Sequence, residues 1–214
     1  KIAITSNDYP FYRIRKSPED PADPLEYDSP PEDSLGKGRL DSSGHPVFYA
    51  SPDLEICVHE CRVTAEDELY VATLKPNKSL RLLNLAAILK EDRSVTEFES
   101  LDLAVHMLFV AGDHAFEFTR AISSAAHSAG FDGIVYPSYF SLVRHGAMPF
   151  QAVVYGISNR RIPEFQKHEE SVVVQNLALF GRPIREGKIA VSCINKLTVT
   201  RTSYSFLFGP VVSR

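Results

Sequence analysis

The segment "GRLDSSGHPVFYASPDLEICVHECR", residues 38–62, is expected to form a turn, a strand and a helix in succession. Its glycines and short polar residues are typical of a turn, and the bulky run at 46–50 predicts a strand. The helix is expected to continue to about residue 62. Each of these parts contains one candidate functional residue. They are Arg39, Tyr49 and Glu60, which lie ten and eleven residues apart.

The predicted helix carries an apolar stripe with an acidic residue beside it. Ser51 is expected to cap this helix and Pro52 to occupy its first position. The stripe has the i, i+3, i+4, i+7 spacing of a buried face and consists of Leu54, Cys57, Val58 and Cys61. Glu60 lies about 100° from the centre of that stripe by the 3.6-residue period, so we expect it to face a cleft beside the core.

The run "CVHEC", residues 57–61, raises the question of a metal site. Cys57 and Cys61 lie one helical turn apart, on the same face, as metal ligands can. Both also belong to the apolar stripe, where free cysteine is a common core residue. Because the sequence offers no second ligand pair at conventional spacing, we expect no metal.

Composition indicates a folded, water-soluble protein. Of the 214 residues, 44% are apolar and 23% are charged, close to the average for globular domains. The net charge of −4, with scattered lysines and arginines, gives no basic patch for nucleic acid or for an anionic membrane. Three cysteines favour a reducing compartment, and neither a membrane span nor a signal peptide is recognisable, so we expect a cytoplasmic location.

The rest of the chain is predicted to mix strands and helices. Strands are predicted at 11–15, 68–75, 80–85, 132–138 and 151–157, and helices at 96–110 and 115–129. The run at 132–138 is expected to be a buried central strand with 151–157 as its neighbour. Residues 17–35 contain five prolines and are predicted to form a long loop or flap without regular structure.

The C-terminal part is expected to be rich in β structure. Strand-like runs are found at 171–181, 188–194 and 196–209, and no helix is predicted between them. The sequence leaves open whether these runs extend the main sheet or form a separate small layer. We expect a unit at 1–157 and an extension at 158–214 that packs on the same domain.

Several pieces of the chain, taken in order, resemble the RES domain family, which supplies toxins of bacterial toxin–antitoxin systems. The pieces are Gly38–Arg39, "VFYAS", "LEICVHE", "LYVATLK", "RLLNL" and "AGFDGIVYPS". The similarity covers about residues 11–157. It implies an α+β fold like that of ADP-ribosyltransferases, with a mixed β core and surrounding helices, to which this chain adds a β-rich C-terminal extension. It also implies that NAD is consumed.

The resemblance places Arg39, Tyr49 and Glu60 in the active site, with Ser138 and Arg13 as further cofactor-binding residues. Arg39 would clamp the phosphate oxygens of NAD, and the ring of Tyr49 would face the pyridinium. Glu60 would stabilise the positive charge that develops on the ribose when the glycosidic bond breaks. Ser138 would bond the carboxamide or brace Arg39.

The activity implied is an NAD glycohydrolase that cleaves the nicotinamide–ribose bond and has a cognate antitoxin protein as partner. One alternative is transfer of ADP-ribose to a protein. Another is a catalytically silent binding domain, because Leu40–Asp41 stands where the family commonly has Phe-Asn. An acid at position 41 is expected to weaken the binding of an anionic cofactor.

Overall fold

A computed structural model describes residues 2–5, 10–92, 94–141, 153–154 and 157–201. The strands are β1 (Ile2–Ile4), β2 (Phe11–Lys16), β3 (Val47–Ala50), β4 (Leu69–Pro76), β5 (Leu80–Asn84), β6 (Gly133–Pro137), β7 (Val153–Val154), β8 (Ile157–Ser158), β9 (Gln175–Phe180) and β10 (Ile189–Leu197). The helices are α1 (Leu54–Glu60), α2 (Leu101–Val110), α3 (Phe116–Ser128) and α4 (Pro163–Val172). Short 3-10 turns cover Pro24–Tyr27, Glu32–Ser34, Asp113–Ala115 and Asn159–Arg161.

The strands form two larger sheets and one hairpin. The five-stranded sheet has the order β1-β5-β6-β9-β3, the three-stranded sheet has the order β10-β4-β2, and β7 pairs with β8. Strands β5 and β6 run parallel, and the other described pairs are antiparallel. The predicted α+β class, with a mixed β core and helices around it, is confirmed.

The layers of the fold pack against each other through side chains that alternate between the two faces of each strand. On β9, Leu177 and Leu179 pack towards the three-stranded sheet, whereas Ala178 and Phe180 pack on the side of α2 and α3, because successive side chains of a strand point to opposite faces. The other face of the three-stranded sheet is covered by α1, whose Cys57 is buried there. The layers therefore follow the order α2 with α3, five-stranded sheet, three-stranded sheet, α1.

Strand β6 lies at the centre of the five-stranded sheet, and all its residues are buried. The central strand predicted at 132–138 is thus confirmed. Its neighbours are β5 and β9, so the expectation that 151–157 is the neighbour was wrong. The described part of that run, Val153–Val154, pairs instead with Ile157–Ser158. Periodicity cannot say which of two short apolar runs, 151–157 or 175–180, joins a given strand.

Helix α1 carries Glu60 as its last residue. Its N-cap is Asp53, whose carboxylate accepts from the backbone N–H of Ile56 at 3.1 Å. The expectations that Ser51 caps the helix and that Pro52 occupies its first position were therefore wrong. Ser51 still takes part in strand pairing, since its N–H and C=O bond the backbone of Tyr12. The four residues of the predicted stripe all pack in one cluster against β2 and β4, which confirms the stripe.

The proline-rich segment at 17–35 is an anchored loop. It contains two 3-10 turns where the sequence predicted no regular structure. Tyr27 is fully buried, and its hydroxyl donates to the carbonyl of Pro21 at 3.0 Å. The buried carboxylate of Asp28 accepts from the backbone N–H of Arg185 at 2.9 Å. These contacts fasten the loop to the body of the fold.

The C-terminal part joins both sheets. Strand β9 lies between β6 and β3, and β10 pairs with β4, while α4 was not predicted from the sequence. The run predicted as a strand at 196–209 lies outside the described residues from 202 onward. The division into units at 1–157 and 158–214 stays a prediction. Within the residues described, none of the helices has the length and apolar character to cross a bilayer.

Candidate active site

A cleft of about 830 Å³ opens between the loop before β3, the end of α1 and the C-terminal end of α2. Arg39, Tyr49, Glu60 and Arg13 all line it, so four of the predicted site residues come together although they belong to different elements. Pockets that hold small molecules and cofactors typically measure roughly 300 to 1,000 Å³. The cleft therefore has the size of a cofactor site.

Glu60 presents its carboxylate to the cleft from the end of α1. Its Oε1 accepts from the hydroxyl of Ser138 at 2.8 Å and from Nδ2 of Asn176 at 2.7 Å. Among the described residues, no hydrogen bond reaches its Oε2. One oxygen thus fixes the carboxylate while the other remains available to a ligand.

Ser138 is buried directly after β6 and does not line the cleft itself. Its Oγ donates to Glu60 and accepts from the backbone N–H of Phe140 at 3.2 Å. Its own N–H donates to the carbonyl of Val174 at 2.9 Å. The sequence suggested a brace for Arg39 or a bond to the carboxamide, whereas the structure places the hydroxyl on Glu60.

Asn176 is a site residue that the sequence reasoning missed. It lies on β9, is 2% exposed and lines the cleft. Its Nδ2 bonds Glu60, while its Oδ1 is buried and has no hydrogen-bond partner among the described residues. The available signal was an asparagine in an otherwise apolar strand, "QNLALF", since buried polar side chains need a reason to be there.

Arg39 is held at the C-terminal end of α2. Its guanidinium donates to the carbonyl of Leu108 at 2.7 Å and to that of Ala111 at 2.9 Å, where the last helical carbonyls lack partners and attract cations. Its charged carbon lies 4.8 Å from the ring centre of Phe116. Burial lowers the pKa of Arg39, and the nearby Glu60 carboxylate opposes that change. The group stays charged at neutral pH.

Tyr49 uses its hydroxyl to organise the loop that carries Arg39, which we call the arginine loop (residues 36–41). The hydroxyl oxygen accepts from the N–H of Leu40 at 2.9 Å and of Asp41 at 3.1 Å, and the hydroxyl donates to Asp41 Oδ1 at 2.8 Å. Burial, followed by the Asp41 carboxylate, raises the pKa of Tyr49 well above its usual value. The ring lines the cleft, and the hydroxyl is committed to the loop.

Asp41 is buried behind the cleft and is not among its lining residues. Besides the bond from Tyr49, its Oδ2 accepts from the N–H of Gly36 at 2.6 Å. A Cβ on Gly38 would lie 2.0 Å from Asp41 Oδ1, so glycine is required there. Asp41 is thus an internal anchor of the arginine loop, and its expected effect on the binding of an anionic cofactor stays a prediction.

Helix α3 holds the arginine loop from the opposite side. The Arg120 guanidinium donates to the carbonyls of Gly36 and Gly38, each at 2.8 Å. The hydroxyl of Thr119 donates to the carbonyl of Arg39 at 2.6 Å. Sequence reasoning found neither residue, because nothing in the helical pattern shows which loop the helix meets.

Arg13 is buried on β2 and bonds backbone atoms. It donates to the carbonyl of Tyr49 at 2.6 Å and to that of Asp28 at 3.0 Å, and lies 4.7 Å from the ring centre of Phe48. Burial lowers the pKa of Arg13 to about 10, so it is protonated at neutral pH. It joins β3 to the loop at 17–35; its predicted role in cofactor binding stays a prediction.

Tyr136 on β6 is a second lining residue that the sequence reasoning missed. Its ring stacks on Phe109 of α2, with the ring centres 5.2 Å apart. Burial raises the pKa of Tyr136 and the Glu60 carboxylate raises it further, whereas a hydrogen bond with the Asn176 side chain and the charge of Arg39 oppose this. The phenol is therefore neutral and can donate a hydrogen bond inside the cleft.

The chemistry of the cleft comes from a guanidinium, a carboxylate and aromatic rings that line it together. Burial raises the pKa of Cys57 to about 12, which makes its thiol a poor nucleophile at neutral pH. Among the described residues, no group of three or more His, Cys, Asp or Glu side chains is placed to hold a metal ion. The arrangement fits a ligand that is anionic at one end and develops positive charge at the other.

Comparison with known proteins identifies a family and a similar fold. Residues 10–181 match the family model described as the RES domain. The structure is similar to a chain in the crystal structure of the MbcT–MbcA toxin–antitoxin complex of M. tuberculosis, at 14% sequence identity and a TM-score of 0.52, covering 92% of this chain and 87% of that chain. At this identity the likeness concerns the fold. Among curated proteins no match is found.

Proposed function

The chain belongs to the RES domain family, and we propose that it cleaves NAD at the nicotinamide–ribose bond to give nicotinamide and ADP-ribose. The observation that carries the proposal is that Arg39 and Glu60 line one and the same cleft, which has the size of a cofactor site. NAD has a diphosphate, which a guanidinium binds. It also has a glycosidic bond between ribose and a cationic pyridinium, and a carboxylate favours the cleavage of that bond.

Glu60 is the proposed catalytic residue. When the C1′–N bond breaks, its electron pair neutralises the pyridinium nitrogen, and positive charge develops on the ribose. A fixed carboxylate stabilises that charge more than it stabilises the ground state. Water then bonds C1′ and loses a proton to solvent. The two donors on Oε1, from Ser138 and Asn176, keep the carboxylate oriented before the substrate arrives.

Arg39 is the proposed diphosphate ligand. A guanidinium has five N–H donors in a planar fork, and those not used on the carbonyls of Leu108 and Ala111 serve the phosphate oxygens. Tyr49 and Tyr136 line the same cleft as Arg39 and Glu60, and an aromatic face there attracts the pyridinium.

Release of nicotinamide from NAD by the purified protein tests the proposal. We expect turnover by the wild type and a loss of at least about 10²-fold in Glu60→Ala, the usual cost of removing an electrostatic stabiliser. Glu55→Ala is the matched control, because Glu55 lies on the same helix, is exposed and does not line the cleft. Equal turnover by Glu60→Ala and Glu55→Ala would reject the assignment.

Transfer of ADP-ribose to a protein is the second candidate. It needs the same cleft and changes only the acceptor. Tyr139, at the cleft, is 47% exposed, and exposed aromatic residues are frequent in protein contacts. NAD labelled on the adenylate distinguishes the two reactions, because transfer leaves the label on a macromolecule and hydrolysis leaves it on free ADP-ribose.

We further propose an antitoxin protein as partner, since the similar crystal structure is that of a toxin–antitoxin complex. Expression of this chain in bacteria is then expected to arrest growth and to lower cellular NAD. Co-expression of the antitoxin is expected to restore both. Arrest that persists in Glu60→Ala would show that toxicity does not come from this cleft.

A further inference from the structure

The side-chain amide of Asn176 forms a hydrogen bond through its nitrogen, whereas its oxygen has no partner among the described residues. Its Nδ2 donates to Glu60 Oε1 at 2.7 Å. Its Oδ1 is buried and has no partner among the described residues, although the side chain is 98% buried overall and lines the cleft. A buried carbonyl oxygen without a hydrogen bond is costly, and such groups are rare in folded proteins.

The free oxygen is an acceptor, so its partner must carry a donor. The bond from Nδ2 to Glu60 fixes the orientation of the amide, because exchanging its oxygen and nitrogen would set two acceptors against each other. Strand β9 lies inside the five-stranded sheet, so the amide is held on a rigid element. Among the described residues no donor reaches this oxygen, and a ligand in the cleft can supply one.

We propose that Asn176 Oδ1 accepts a hydrogen bond from a hydroxyl of the ribose whose glycosidic bond faces Glu60. This inference rests on the proposed function. The amide nitrogen bonds the Glu60 carboxylate, and the substrate hydroxyls nearest to C1′ are those of the same ribose. Asn176 is thus a substrate-contacting residue as well as a brace for the catalytic carboxylate.

The consequence is a selection for the intact ribose. One planar amide ties the carboxylate to the sugar, so it sets the position of C1′ relative to Glu60. A site built around a hydrogen bond to a hydroxyl discriminates against an analogue that lacks it, because the buried acceptor is then left unpaired. The wild type is therefore expected to prefer NAD to analogues with a deoxygenated nicotinamide ribose.

The test compares kcat/KM for NAD and for two analogues, one lacking the 2′-hydroxyl and one lacking the 3′-hydroxyl of that ribose. In Asn176→Ala we expect the preference for NAD over one of the analogues to fall by about tenfold relative to the wild type, the size of one hydrogen bond. The intrinsic reactivity of each analogue cancels, because the ratio is compared between variants. Asn195→Ala, at an exposed position on β10, is the control and should keep the wild-type ratios.

Two outcomes would overturn the inference. If Asn176→Ala keeps both wild-type ratios while its overall rate falls, the residue only braces Glu60. If the wild type itself cleaves NAD and both analogues in the ratio of their uncatalysed reactivities, the free acceptor has no role in selection. This second result does not depend on the folding of any variant. Cleavage of NAD without selection rejects this inference alone, whereas absence of NAD binding and cleavage rejects the proposed function with it.

Discussion

In the wall of the cleft that carries Glu60, side chains bond one another, whereas in the wall that carries Arg39 side chains mainly bond backbone groups. In the first, which we call the glutamate wall, two side-chain donors on Ser138 and Asn176 meet one carboxylate oxygen. In the second, the arginine wall, a guanidinium bonds the carbonyls of α2, and the arginine loop is itself held by Tyr49 and α3.

This difference predicts different consequences of mutation. Side chains of the glutamate wall stand on strands and a helix whose folding does not depend on them, so their loss should reduce the reaction rate and leave stability nearly unchanged. Contacts of the arginine wall fix a loop, so their loss should lower the free energy of unfolding and the affinity for the ligand together. Four experiments test this separation.

The largest effect is expected for Arg39→Lys. A lysine carries its donors on a single nitrogen, so it does not reproduce the planar fork that spans two carbonyls at the end of α2 and a phosphate. We expect the KM for NAD to rise by about 100-fold, corresponding to about 2.7 kcal/mol. Arg81→Lys is the matched control, since Arg81 also bonds a carbonyl and lies over an aromatic ring, but away from the cleft. Equal KM values for the two variants would remove Arg39 from the binding site.

Tyr49→Phe should affect the arginine wall next most strongly. The change leaves the N–H groups of Leu40 and Asp41 and one carboxylate oxygen without their partner. We expect the free energy of unfolding to fall by about 2 kcal/mol, measured by urea denaturation, with a parallel rise in the KM for NAD. Tyr70→Phe is the control, since the Tyr70 hydroxyl donates to the Glu68 carboxylate at 3.0 Å and Tyr70 does not line the cleft. Wild-type stability in Tyr49→Phe would contradict the loop network.

Lowering the pH is expected to lower the free energy of unfolding through His106 on α2, the helix whose C-terminal end holds Arg39. Burial, with a further contribution from Arg160, lowers the pKa of His106 to about 4, and Asp102 opposes this. Between about pH 6.5 and 4 the unfolded chain then binds more protons than the folded chain. The contribution of His106 to the free energy of unfolding is therefore complete above this range and is lost as the pH falls through it. We expect a loss of about 1.5 kcal/mol between pH 7 and pH 5.

His106→Leu should remove most of that dependence, as denaturation curves at the two pH values can show. His168→Leu, on α4, provides a comparison at a histidine of another helix. If the wild type and His106→Leu lose the same stability between pH 7 and pH 5, burial of His106 is not the cause.

The smallest effect is expected for Ser138→Ala, in the glutamate wall. Glu60 loses one of two donors and keeps Asn176, so kcat should fall by about five- to tenfold, the equivalent of one hydrogen bond. The KM and the urea midpoint should stay close to the wild type. A change in stability larger than that of Tyr49→Phe would reverse the contrast between the two walls.

Local signals predicted much of the fold and part of the site. The run at 46–62 has strand and helix patterns that depend on near neighbours, so β3, α1 and the position of Glu60 beside the apolar stripe were predicted correctly. The buried run at 132–138 identified the central strand for the same reason. In these segments the residues that decide the structure are close in sequence.

Partners distant in sequence escaped prediction. Asn176 reaches Glu60 only because β9 pairs with β6, and an apolar run does not specify which strand it joins. The anchoring of Asp41 requires Tyr49 to fold back over the arginine loop, which no spacing rule reveals. Helix α4 was missed because few of its residues are apolar, so the helical period is weak between residues 163 and 172.

The position of β9 also bears on when the site can exist during synthesis. The chain emerges from the ribosome N-terminus first, so Glu60 is made long before residues 175–180, which complete the sheet between β6 and β3. Until β9 has been added, the carboxylate lacks the donor from Asn176, and the central strand has an open edge. A nascent chain interrupted before residue 175 therefore carries every residue that the sequence nominated for catalysis and still lacks the complete glutamate wall.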